Sequence, residues 1–237
     1  CGASEVWTAE QQKWWYEVAH GSIHSGANTC RKCRQAQRAQ VANDPMHVQA
    51  EQLRALGAHK PTPAANAAVQ AALKSKWEGM QVIAIDVLGA WWGLTGDDAE
   101  LEQLKTIATA PAPAGQHPYR GDATRYAARR AIARHLREAD MGWALPWFLT
   151  HAANRLGMLV PQMPQQALID ALAAPPWRAA WHDDAAQAES LLALLVYTDA
   201  RTPGWIALAE HAIASPLIGK RARTRLDWRI ERQRQFV

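Results

Sequence analysis

From residue 46 to the end of the chain, apolar residues recur at helical spacing, and no stretch alternates in the way a half-buried strand would. Alanine supplies about one residue in five, accompanied by Leu, Gln, Arg and Glu, with few β-branched residues. These side chains lose little freedom in a helix, whereas a large sheet draws on β-branched and aromatic residues. The chain is therefore expected to be mainly α. One helix over 46–58 should stop at Lys60-Pro61, and a second should run through the alanine-rich 64–76. Beyond them the helices fall in pairs: 77–93 with 97–110, 121–137 with 140–157, 163–174 with 185–198, and 203–215 with 220–236. The pair starts, at 77, 121, 163 and 203, lie 44, 42 and 40 residues apart. That spacing is close to the roughly 40–47-residue period of two-helix HEAT-type repeats. Residue-level similarity between the pairs is weak, so the pattern fits a HEAT-like α-solenoid or an irregular helical bundle. The proline-rich 111–118 is a loop in either.

The first 44 residues read differently and hold all three cysteines, too few for a disulfide framework. Proline after Asp44 disfavours helical geometry there, which divides the 237 residues into a small domain over 1–44 and an all-helical one over 45–237. Within the small domain, Thr8-Ala9-Glu10-Gln11 reads as a capping box ahead of a short helix carrying Trp14, Trp15 and Tyr16. Cys30-Arg31-Lys32-Cys33 then leads into a polar segment. Two thiolates at this spacing hold one zinc because a tight knuckle turn brings both sulfurs to ~2.3 Å from it. Arg31, Lys32 and Arg34 favour the thiolate form that metal binding needs. A thioredoxin-like redox pair belongs beside a βαβ unit, and none is readable here. Two ordinary buried thiols remain an alternative.

Cys1-Gly-Ala, then Val6-Trp7-Thr8-Ala9-Glu10-Gln11-Gln12-Lys13-Trp14-Trp15-Tyr16, then Cys30-Arg31-Lys32-Cys33-Arg34, resembles the small bacterial "probable zinc-ribbon" domain. That family reads Cys-x-x-Cys-Gly, an aromatic, Thr-Ala-x-Glu-Gln, an aromatic helix and Cys-x-x-Cys-Arg. The resemblance implies a short hairpin plus helix around a structural four-cysteine zinc site. Cys1, Cys30 and Cys33 would be three of its ligands, and the fourth cysteine would fall three positions before Cys1. His20 and His24 are possible stand-ins for that fourth ligand, although Gly21 argues against a helix that would align them. An N-terminal Cys-Gly also suits the lipidated residue of a periplasmic lipoprotein, a reading that leaves Cys30 and Cys33 unexplained.

The net charge of +4 is unevenly placed: residues 220–237 carry seven basic and two acidic groups. Lys220, Arg221, Arg223, Arg225, Arg229, Arg232 and Arg234 either contact nucleic acid or an acidic protein, or belong to a solvated helix end. Arg31, Lys32, Arg34 and Arg38 form a second basic stretch, expected to face a protein or nucleic-acid partner. Asp86 lies among Val82, Ile83, Ile85, Val87 and Leu88, so it is expected to pair with a cation from a neighbouring repeat. The phrase around it resembles a repeat helix of HEAT-like alkylpurine DNA glycosylases, which leaves a repair enzyme as the catalytic alternative. Of the adjacent pairs Trp14-Trp15 and Trp91-Trp92, one ring each is expected in the core and one outside. Trp143, Trp147, Trp177, Trp181 and Trp205 are expected to fill gaps between alanine-rich helices.

No phosphate-binding glycine loop, GxSxG elbow or HExxH is present, and no apolar run reaches the ~18 residues of a membrane span. The sequence therefore reads as a cytoplasmic bacterial zinc protein without catalytic activity, in which a helical scaffold binds a protein or nucleic acid.

Overall fold

The computed structural model describes residues 2–3, 6–22, 29–42, 44–111 and 122–235. It divides into two compact units, Cys1–Gln52 and Leu53–Val237. The fold is mainly helical, and the described residues contain no strand. The hairpin expected near the N-terminus is thus not found among them.

In the first unit, α1 (Ala9–Glu17) begins with the expected box. The Thr8 hydroxyl accepts from the Gln11 amide, and the Gln11 side chain accepts from the Thr8 amide, each at 3.3 Å. After α1 the chain turns back across Trp15, where the Gly21 amide donates to the Trp15 carbonyl at 2.8 Å. A Cβ on Gly21 would sit 1.8 Å from the Trp15 ring, so only glycine admits this approach. The polar segment after the cysteines is itself a helix, α2 (Arg31–Ala42). Its Arg, Lys, Gln and Ala are strong helix formers, and that propensity outweighs the missing apolar stripe. Asp44 opens α3 (Pro45–Leu56), its carboxylate accepting from the Met46 and His47 amides at 2.8 and 3.1 Å. The residue that marks a boundary in the sequence is therefore a helix cap.

The second unit is built around α5 (Glu78–Thr95), which packs on α4 (Pro63–Leu73), α6 (Asp98–Thr109) and, most extensively, α7 (Asp122–His135). The close approach to α7 comes from Gly89 and Gly93, where an added Cβ would lie 2.7 Å from Ala131 and 2.6 Å from His135. With neighbours on so many sides, α5 buries both Trp91 and Trp92, contrary to the expected split of one in and one out. Trp91 donates its indole N–H to the Leu56 carbonyl at 2.9 Å. In the Trp14-Trp15 pair neither ring is in a core: Trp14 is exposed and Trp15 half-buried. Trp181 and Trp205 are fully buried, while Trp143, Trp147 and Trp177 are half-buried.

Of the expected helix pairs, α5 and α6 pack together, as do α13 (Trp205–Ala214) and α14 (Lys220–Arg234). Between them the two-helix alternation breaks. Residues 138–162 fold as 3-10 turns around α8 (Met141–His151) and the short α9 (Leu156–Leu159). An extra helix, α11 (Pro175–Asp183), enters between α10 (Gln165–Ala173) and α12 (Ala185–Tyr197) and packs on both. Pro175-Pro176 looks like a break in sequence, yet proline at the first helical position starts a helix readily. Asp184, directly after α11, caps α12 by accepting from the Ala186 and Gln187 amides.

Asp86 finds its cation on α7: the Arg130 guanidinium donates to both carboxylate oxygens at 2.7 Å. Asp140, buried ahead of α8, would be raised by burial alone. Hydrogen bonds from the Arg137 side chain and amide and from the Trp143 indole instead hold it below the ordinary carboxylate value.

Candidate metal centre

The Cys30-x-x-Cys33 pair sits at the start of α2, with Cys30 just before the helix and Cys33 in its first turn. The Cys33 amide donates to the Cys30 sulfur at 3.3 Å, so the thiol occupies the place that a Ser or Asp usually takes at a helix start. The two cysteines therefore bracket the first turn of a helix, where the spacing alone suggests a knuckle followed by a polar segment. Both cysteines are half-buried.

Successive helix residues are rotated by about 100°. On α2 this places Arg31, Arg34 and Arg38 together on one face and Cys33 on roughly the opposite one. Arg31, Lys32, Arg34 and Arg38 are all exposed. The sides of the helix that carry Cys33 and the three arginines are thus distinct, an arrangement that reading the two motifs separately does not reveal.

Two soft sulfur donors at this spacing fit half of a zinc site. The third expected ligand, Cys1, lies outside the described residues, as does His24. Helix α1 ends at Glu17, and His20 follows it exposed, with φ of 50°, outside the helix. Among the described residues no three His, Cys, Asp or Glu side chains gather as a metal-binding group. The aromatic surroundings are better defined: Trp7 and Tyr16 rings meet at 6.0 Å, and the Gln12 side chain donates to the Trp7 carbonyl at 2.9 Å. This bracing of α1 was missed in the sequence, although aromatic residues on both sides of the capping box are its signal.

The other basic candidate divides in two. On α14, Arg223 donates to the Ser215 and Ile218 carbonyls at 2.6 and 2.8 Å, and Arg234 pairs with Glu210. Arg229 donates to the Val196 and Thr198 carbonyls and stacks 4.7 Å over Trp205; burial lowers its pKa. These three arginines tie α14 to the ends of α12 and α13. Arg221, Arg225 and Arg232 remain exposed.

Residues 1–42 match a family described as a probable treble clef domain, and the match ends where α2 ends. Treble clef domains typically bind zinc. The zinc-ribbon resemblance is a coarse form of this match, which covers the same small cysteine-bearing segment. No curated protein and no solved structure matches the chain.

Proposed function

We propose that residues 1–42 form a zinc-holding module with Cys1, Cys30 and Cys33 among the ligands. In this reading the HEAT-like helical region is a scaffold without catalytic activity, and Arg31, Lys32, Arg34 and Arg38 face a protein or nucleic-acid partner. The observation that carries the proposal is that a treble clef match coincides with a cysteine pair closed by the first turn of α2. Zinc, when bound, supplies a cross-link between chain segments that cannot bury enough surface to order themselves. The residues of the chain do the rest. Cys30 and Cys33 would supply two sulfurs from one helical turn, and the Thr8 box with the Trp15–Gly21 contact braces α1.

Thiolates stay available for metal in a reducing compartment, which is the basis for a cytoplasmic location. The non-catalytic reading draws support from Asp86. The one carboxylate singled out as a catalytic candidate is occupied by Arg130 in a structural ion pair. The test is chelation of the full chain followed by circular dichroism and limited proteolysis. The proposal expects loss of helical signal confined to the first 44 residues, reversed by zinc. A chain with the same dichroism and cleavage pattern with and without chelator would overturn it.

A further inference from the structure

The C-terminal helix α14 carries an exposed stripe whose composition points outward. Arg221, Arg225, Trp228 and Arg232 are spaced by four, three and four residues, which places them within about 60° of one another around the helix. All four are exposed, and Trp228 is 57% exposed despite its size. The Arg232 guanidinium lies 5.3 Å over the Trp228 ring. Arg221, Arg225 and Arg232 form no ion pair among the described residues. Leu226 and Ile230, the buried residues of α14, lie on the opposite face, and Asp227 and Glu231 on its flank.

The inward arginines of this helix account for its attachment, so the outward ones are not needed for folding. Three uncompensated guanidiniums along ~16 Å of helix attract an extended polyanion. An indole set between them adds a flat, sequence-tolerant stacking surface, and this combination of cationic track and aromatic platform is what single-stranded nucleic acid uses. An acidic peptide would answer the charges and leave the indole without a partner. A membrane surface would require an apolar face, yet the aliphatic residues of α14 are turned into the protein.

We propose that the Arg221–Arg225–Trp228–Arg232 face of α14 binds single-stranded nucleic acid, the guanidiniums holding phosphates and Trp228 stacking on a base. This deepens the partner-binding reading given above by choosing the partner class. It rests on the helical unit and not on the metal.

Binding of a fluorescently labelled oligothymidylate to the full chain, followed by anisotropy across a salt series, tests it. Each phosphate contact contributes about 0.7 to the logarithmic salt slope for a single strand. Arg221→Gln, Arg225→Gln and Arg232→Gln together should therefore lower that slope by about 2. Trp228→Ala should weaken binding roughly 5- to 150-fold, the range expected for losing one stacked base, with little change in slope. Circular dichroism of both variants should match the parent, because every altered side chain is exposed. Absence of binding at low salt would overturn the proposal, as would affinity unchanged in both variants. Capture of polyglutamate or of phosphatidylserine vesicles in place of the oligonucleotide would likewise overturn it. If neutralising Arg31, Lys32, Arg34 and Arg38 abolishes binding and the α14 changes do not, this inference fails while the zinc module and its basic face stand.

Discussion

Replacing Gly89 by alanine places a methyl group 2.7 Å from the Ala131 Cβ and 3.3 Å from its Cα. Carbon atoms in contact prefer ~3.5–4.0 Å, so α5 and α7 would have to separate locally by about 1 Å. Overpacking of this kind costs about 1–3 kcal/mol. Alanine offsets part of it, since removing a glycine from a helix interior gains about 1 kcal/mol. The net expectation is a loss of about 1 kcal/mol, or a fall in melting temperature of ~2–4 °C for a unit of this size. Gly79 on the same helix is the internal control: nothing lies within 4 Å of its Cβ position, so Gly79→Ala should be neutral or stabilising. Adding Ala131→Gly to the Gly89→Ala chain removes the opposing methyl and should recover the lost packing, with a coupling of about 1 kcal/mol in the cycle. Differential scanning calorimetry and urea titration of five chains (the parent, Gly79→Ala, Gly89→Ala, Ala131→Gly and the double variant) measure this. If Gly89→Ala proves as stable as Gly79→Ala, or the cycle shows no coupling, the close approach of α5 and α7 is wrong.

Asp86→Asn should cost about 0.5–1 kcal/mol, and less at high salt, because the pair with Arg130 is partly solvated; urea titration at two ionic strengths checks this. His135 has a folded-state pKa lowered by burial, then by Arg134, against a smaller opposing pull from Asp86. Its contribution is fully present above the ordinary histidine value near 6.5 and is lost as pH falls through the lower folded value, so stability of the second unit should decline in that window. His135→Gln should flatten this decline in a pH series of melts. Arg229→Ala strands the Val196 and Thr198 carbonyls and uncovers Trp205, a loss of about 1–3 kcal/mol by chemical denaturation, whereas Arg225→Ala should leave stability unchanged.

Local chemistry was legible in the sequence where one or two residues decide the outcome. The Thr8 box and the cation demanded by Asp86 are short-range or single-charge arguments, and both are met. The packing was not legible, because it depends on which helices come close. Gly89 and Gly93 look like weak points in a helical pattern, and only the opposing Ala131 and His135 reveal them as a close contact. Trp91 and Trp92 are both buried because α4, α6 and α7 all pack on α5, which no spacing rule for a single helix anticipates. The basic C-terminal helix reads as one feature until Arg223, Arg229 and Arg234 are found turned onto carbonyls and Glu210. At the metal centre the cysteine spacing was readable, but its support was not. A polar, alanine- and glutamine-containing segment was a helix all along, and the pair belongs to its first turn.

The zinc content of the purified full chain, measured by mass spectrometry beside a Cys30→Ser, Cys33→Ser chain, addresses the central claim most directly. About one zinc per chain, lost in the double variant, is the result expected of a site in which these two sulfurs are obligatory. A parent chain without zinc, or a double variant that retains it in full, would contradict the account.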